Sequence, residues 1–182
     1  ISTLSTDGTN DVQIIDTERM TQNSNDNTTS YYKYPSLAAL NDSIYAVGYR
    51  GYGHDGFIET FKVSASGQIT RLQSYEYDTN ESEYNKLVRV DNNTVAILFK
   101  GYQGGWGGHV MTLDIAPDGS SITKVATKKV HNNIYHTEFV HLRDDLYVAA
   151  YQGDSGDGYI TTLTISKDGK TIEIKKELEH ET

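Results

Sequence analysis

The chain has 182 residues, with 16 Lys and Arg against 25 Asp and Glu, 14 Tyr, 16 Gly, two Pro and no Cys. That is one domain with room for a substantial core, and its scattered cations on an acidic background (net charge -9) exclude a nucleic-acid-binding face. The missing thiols exclude a disulfide scaffold and a thiolate metal site, and no apolar run reaches the roughly eighteen residues of a membrane span.

Residues 1–22 read as two strands around the turn Asp7-Gly8-Thr9-Asn10. The opening Ile1-Ser2-Thr3-Leu4 has neither the basic nor the apolar region of a signal peptide, so any such segment is expected to lie upstream or to have been removed. Residues 23–30 read as a polar connector. The first complete repeat follows, with strands at 37–40, 44–49, 57–63 and 69–77. Asn41-Asp42-Ser43 turns the chain by tolerating left-handed backbone angles, and Gly51–Gly56 and Ser66-Gly67 turn it again. The second repeat has strands at 87–90, 94–99, 110–115 and 122–130, around Asp91-Asn92-Asn93, a loop Gly101–Gly108, and Pro117-Asp118-Gly119. The third has strands at 139–142, 146–151, 159–165 and 172–178, around Arg143-Asp144-Asp145, a loop Gly153–Gly158, and Lys167-Asp168-Gly169-Lys170.

Gly51, Gly101 and Gly153 correspond, as do Thr60, Thr112 and Thr162, and Gly67, Gly119 and Gly169. Four short antiparallel strands at a period near fifty residues predict an all-β, propeller-like array of four-stranded blades. A β-sandwich is the alternative packing. The chain is predicted to be a single repeat domain over 1–182. It divides into a half repeat and connector (1–30) and repeats at 31–84, 85–136 and 137–182, about three and a half in all. The N-terminal pair aligns Ile1 and Thr3 with Ile58 and Thr60 and lacks the first two strands of a blade. An unpaired edge of that kind is normally covered. The expectation is that the chain is a piece of a longer array, or that other copies complete its sheets.

The run Leu146-Tyr147-Val148-Ala149-Ala150-Tyr151-Gln152-Gly153, followed by Asp157-Gly158-Tyr159 through Lys167-Asp168-Gly169, resembles tandem repeats of large secreted or cell-surface proteins of archaea and marine bacteria. Those repeats are generally taken as propeller blades, and the resemblance covers nearly the whole chain. It implies adhesion, a surface layer or another extracellular assembly. The second repeat departs from the pattern, with Gly104-Gly105-Trp106-Gly107-Gly108-His109 where the others carry Asp-Gly and an aromatic residue.

The three glycine-rich loops fall on one face of such an array, where repeat proteins bind ligands. They carry Tyr52, His54 and Asp55, then Tyr102, Trp106 and His109, then Asp154 and Asp157. Aromatic rings beside polar acceptors suit a sugar. The alternative is structural, with Gly and Asp making turns and the rings capping neighbouring blades. Asp154-Ser155-Gly156-Asp157-Gly158 offers the hard oxygens Ca²⁺ prefers, but it lacks the EF-hand series and its closing Glu. A turn is expected there and no cofactor is assigned. His131, His136 and His141 have no second ligand pair, so no metal is assigned to them either. No nucleophile elbow, phosphate loop or dinucleotide fingerprint is present.

Acceptor sequons at Asn27, Asn41, Asn80 and Asn92 point to export. The sequence therefore predicts an exported, non-enzymatic module for binding or extracellular assembly, partnered by copies of itself or further repeats. A lectin-like propeller using Tyr52, Tyr102 and Trp106 is one alternative. A fragment of a propeller glycosidase, with its catalytic residues elsewhere, is another.

Overall fold

The computed structural model describes residues 1–6, 12–20 and 32–180. The predicted turn at 7–10, the connector at 23–30 and the sequon at Asn27 lie outside them. Three four-stranded antiparallel sheets follow one another along the chain. Blade 1 is β3 (Lys33–Ala39), β4 (Ile44–Arg50), β5 (Gly56–Val63) and β6 (Ile69–Asp78). Blade 2 is β7 (Ser82–Arg89), β8 (Thr94–Tyr102), β9 (Trp106–Ile115) and β10 (Ile122–His131). Blade 3 is β11 (Tyr135–Arg143), β12 (Leu146–Gln152), β13 (Gly158–Ile165) and β14 (Ile172–His180). Ahead of them, β1 (Ser2–Thr6) and β2 (Val12–Thr17) form a separate antiparallel pair. The only helical pieces among the described residues are two 3-10 turns, Tyr52–His54 and Asp154–Gly156.

The first strands pack closely side by side, β3 against β7 and β7 against β11, while the outer strands β6, β10 and β14 meet more sparingly. Sheets fanned about converging inner strands make a propeller-like array, and the sandwich alternative is discarded. The burial pattern has the same cause. Val95, Ile97 and Phe99 of β8 pack toward blade 1, while Ala96 and Leu98 pack toward blade 3. A middle strand covered on both faces reads as a continuous apolar run rather than an alternating one.

One hydrogen bond recurs between units. Thr3 Oγ1 donates to the Gly67 carbonyl (2.5 Å), Thr60 Oγ1 to Gly119 (2.7 Å) and Thr112 Oγ1 to Gly169 (2.7 Å). Each unit's third strand thereby latches the outer hairpin of the next. The three glycines have φ of 84°, 76° and 70°, and a Cβ on Gly119 would meet Leu72 at 2.6 Å. This accounts for a glycine at that repeat position. Thr162, the fourth threonine of the series, reaches only Lys176 O of its own sheet at 3.4 Å. The face it occupies is open: Ile160 is 48% exposed, whereas Ile58 and Val110 at the equivalent positions are fully buried.

The inner strands begin earlier than predicted. β7 starts at Ser82 rather than near 87, and β11 at Tyr135 rather than 139, so the repeat boundaries at 84/85 and 136/137 move toward the N-terminus. The added residues are polar and pair only after a register break, at Lys33/Ser36, Glu83/Lys86 and Tyr135/Glu138. The predicted loop Gly101–Gly108 is also mostly strand: β8 runs through Tyr102 and β9 starts at Trp106. The turns fall where expected, but those at Asn41 and Asp91 take no left-handed angle and are held by side-chain bonds to the backbone instead. Asn41 Oδ1 accepts from the Ser43 and Ile44 amides (3.0 and 2.9 Å), and Asp91 Oδ1 from those of Asn93 and Thr94 (2.8 and 2.7 Å).

Candidate functional site

Each inner strand has, near its start, a register break that is a β-bulge holding a bulky residue at positive φ: Tyr34 (56°), Tyr84 (55°) and His136 (47°). The three are equivalent, each seventeen residues ahead of Gly51, Gly101 and Gly153. A bulge re-aims a side chain, and this backbone costs about 1–3 kcal/mol per residue unless the surroundings impose it. Here the surroundings do impose it. Thr137 Oγ1 donates to the Tyr84 carbonyl, the Leu87 amide donates to Ser36 Oγ (2.8 Å), and Lys86 pairs with Glu138 (2.8 Å). Three strained positions repeated at converging strands mark a site rather than an accident of one loop.

The bulges bring aromatic rings from three blades together. Tyr84 lies 4.8 Å from Tyr34, 5.4 Å from His136 and 5.8 Å from Tyr135, centroid to centroid. Tyr34, Tyr84, Asn85, Lys86, His136 and Glu138 line a cavity of about 430 Å³. Behind the rings is a charged layer. The buried Arg50 guanidinium lies 5.7 Å over Tyr34 and bonds Glu83 Oε1 at 2.8 Å. Lys100 Nζ lies 4.0 Å over Tyr135 and 3.8 Å from Glu83 Oε2. One carboxylate thus holds two cations, each against the face of a site tyrosine.

Burial, reinforced by Tyr34 and Glu83, pushes the Tyr84 hydroxyl up to about 12, so it remains a proton donor at neutral pH. Asn85 is buried, and its Oδ1 accepts from the Tyr77 hydroxyl and Ser82 Oγ, both at 2.8 Å. Its Nδ2 is a buried donor with no partner. Buried polar groups are normally bonded, so an unused donor in the lining is available to a ligand. The cavity therefore combines stacking faces, donors from Tyr84, Asn85 and Lys86, the Glu138 acceptor, and an exposed imidazole at His136.

The residues singled out from sequence lie elsewhere. Tyr52 and His54 sit exposed in the first 3-10 turn. Asp55 follows them half-buried. Burial, then the neighbouring Glu76 and Asp78 carboxylates, push its pKa up to about 6. Tyr102 and Trp106 do come together, as an edge-to-face cross-strand pair 5.9 Å apart at the exposed tip of β8–β9. His109 is not in a loop. It is buried within β9, with Nε2 3.1 Å from the Gly105 carbonyl. Asp154 and Asp157 close the second 3-10 turn through backbone bonds. Among the described residues no three His, Asp or Glu side chains converge as metal ligands. The predicted histidine series is dispersed: His131 packs on Tyr159, His136 stands at its bulge, and His141 Nε2 meets the Asp144 carbonyl at 2.9 Å. Tyr34 and Tyr84 carry no sequence signal of their own, because polar neighbours surround them. Their recurrence in step with the glycines was the available signal.

The fold is that of a β-propeller-like array. Two crystal structures share the fold. A protein from Lactobacillus plantarum matches at 16% identity and a TM-score of 0.55, over 80% of this chain and 41% of its own. A putative 6-phosphogluconolactonase from Bacteroides fragilis matches at 13% identity and a TM-score of 0.52, over 74% of this chain and 36% of its own. The match spans about two-fifths of the length of those structures. No family model and no curated protein sequence matches the chain. The expectation of a non-enzymatic module is overturned by the second structure: a protein with this fold is a putative enzyme, so the architecture gives no ground for excluding catalysis.

Proposed function

We propose that the cavity between the inner strands binds a small polyhydroxylated, sugar-derived molecule. Tyr34 and Tyr84 offer ring faces to its C–H surface, and Tyr84, Asn85, Lys86 and Glu138 take its hydroxyls. The observation that carries this is the repeated bulge, which turns three equivalent residues toward one another at a backbone cost. Titration calorimetry against a panel of monosaccharides, aldonates and sugar lactones tests it. Tyr34→Ala is expected to weaken binding about tenfold, and Trp106→Ala to leave it unchanged. Equal affinity for the wild type and Tyr34→Ala would refute the assignment.

A second reading follows from the Bacteroides fragilis neighbour, a putative 6-phosphogluconolactonase. In this reading the site hydrolyses a cyclic sugar ester. The exposed His136 imidazole takes a proton from water as its oxygen attacks the ring carbonyl carbon, and the resulting imidazolium returns that proton to the ring oxygen as the C–O bond opens to a hydroxy acid. His136→Ala would then abolish the enzyme-dependent rate over spontaneous opening, followed by base uptake at constant pH. An unchanged rate would refute this second reading alone. The proposal retains an exported setting on the strength of the exposed sequon asparagines Asn80 and Asn92. Asn41 is committed to its turn and, through Nδ2, to the Pro117 carbonyl at 3.2 Å.

A further inference from the structure

The second blade breaks the repeat at one place, and the break lies beside a cavity remote in sequence from the inner-strand bulges. From Gly101 to Thr112 the chain is two residues longer than from Gly51 to Thr60 or from Gly153 to Thr162. The position opposite Phe99 in β8 is then taken by His109, where the equivalent cross-strand pairs are Tyr49 with Phe57 and Tyr151 with Tyr159. An imidazole thus replaces an aromatic ring at a site only 2% exposed.

The imidazole is half-satisfied. Its Nε2 lies 3.1 Å from the Gly105 carbonyl, which can only accept, so Nε2 carries the proton. Burial holds the ring below its usual pKa, against the pull of the Gly105 and Gly101 carbonyls and with Lys129 adding to the depression. A neutral ring protonated at Nε2 leaves Nδ1 as a bare acceptor, and that atom is buried without a partner. Thr127 Oγ1, on the same face of the neighbouring strand, is likewise buried and unpartnered. Both residues line a cavity of about 400 Å³ with Gln103, Lys124 and Lys129. Lys129 stands directly across from His109 in the strand ladder, and Lys124 Nζ donates to Gln103 Oε1 at 2.8 Å. Two ammonium groups beside two unused buried polar atoms, in a chain of net charge -9, are not what packing alone requires.

We propose that this cavity binds a small hydroxycarboxylate. The lysines take the carboxylate, Thr127 Oγ1 bonds it or a neighbouring oxygen, and a ligand hydroxyl donates to His109 Nδ1. The last contact sets the class, because a carboxylate or sulfate without a hydroxyl has no proton to offer a bare nitrogen. The probe is D-glycerate, compared with propionate and inorganic sulfate, with affinity measured by calorimetry and the His109 ring followed by NMR. Glycerate is expected to shift the His109 resonances and to bind about tenfold more tightly than propionate, the value of one added hydrogen bond or slightly more. Thr127→Val and Lys129→Gln should each weaken glycerate by about fivefold. His109→Phe, which installs the first blade's own residue, should remove the preference for glycerate over propionate. Equal binding of glycerate, propionate and sulfate would overturn the proposal. So would an unmoved His109 signal, or full affinity in Thr127→Val and His109→Phe. These outcomes leave the reading of the Tyr34–Tyr84 cavity untouched, since none of its lining is altered.

Discussion

The sharpest test of how the blades are held concerns the threonine latch. Thr112 is buried, its Oγ1 donating to the Gly169 carbonyl (2.7 Å) and accepting from the Ala126 amide (3.1 Å). Thr112→Val keeps the shape and removes both bonds, leaving a carbonyl and an amide unpaired at a blade interface. An orphaned buried group costs about 1–3 kcal/mol, so about 2 kcal/mol is expected. For a domain of this size that lowers the melting temperature by about 4–8 °C, followed by circular dichroism. The control is Thr162→Val. Its hydroxyl has only a 3.4 Å contact within its own sheet and no neighbouring hairpin, so the change should stay within about 0.5 kcal/mol. If Thr162→Val costs as much as Thr112→Val, the hydroxyl acts within its strand, and the latch between blades is refuted.

Gly119→Ala should destabilise by about 2 kcal/mol or more in a urea titration, because it places a Cβ 2.6 Å from Leu72 at a φ of 76°. Arg50→Met should cost about 3 kcal/mol by leaving Glu83 with only the longer Lys100 contact, and adding Glu83→Gln should recover part of it in a double-mutant cycle. Phe99→Ala, fully buried between the first two blades, should cost about 3–5 kcal/mol by chemical denaturation. Asp55 binds its proton more tightly folded (about 6) than unfolded (3.8), so its contribution to stability falls as pH rises from about 4 to 6 and is level above that. Asp55→Asn should therefore melt higher than wild type at pH 7, the difference closing toward pH 4; a constant difference across that range would contradict the crowding of Asp55 by Glu76 and Asp78.

Of the candidate site, the sequence displayed the parts but not their meeting. Tyr34, Tyr84 and His136 recur with the period of the glycines, yet each stands among polar residues such as Ser82, Glu83, Asn85 and Lys86 that carry no strand alternation. They join the sheet only through a bulge, and a bulge depends on what the adjacent blade offers, here Thr137 to the Tyr84 carbonyl and Ser36 to the Leu87 amide. The residues that did draw attention, Tyr52, His54 and Trp106, are conspicuous because glycine surrounds them, and they stand exposed in turns and at a hairpin tip. His109 misled in the opposite direction. Its glycine-rich surroundings read as loop, whereas Gly107 and Gly108 are strand residues beneath Lys129 and Ile134.

What the residues determine alone is the blade: four strands, the hairpin glycines, the Asx turns and middle strands apolar on both faces. These follow from backbone freedom and burial along one stretch of chain, and both repeat wherever the pattern repeats. What only the folded molecule decides is the arrangement between blades. Side-by-side fanning over stacking, the Thr-to-Gly latches, and the convergence of three inner-strand rings over the Arg50–Glu83 pair all join residues 33 to 59 positions apart. No local pattern specifies such pairs, because each partner's position is set by the packing of a sheet to which the other does not belong.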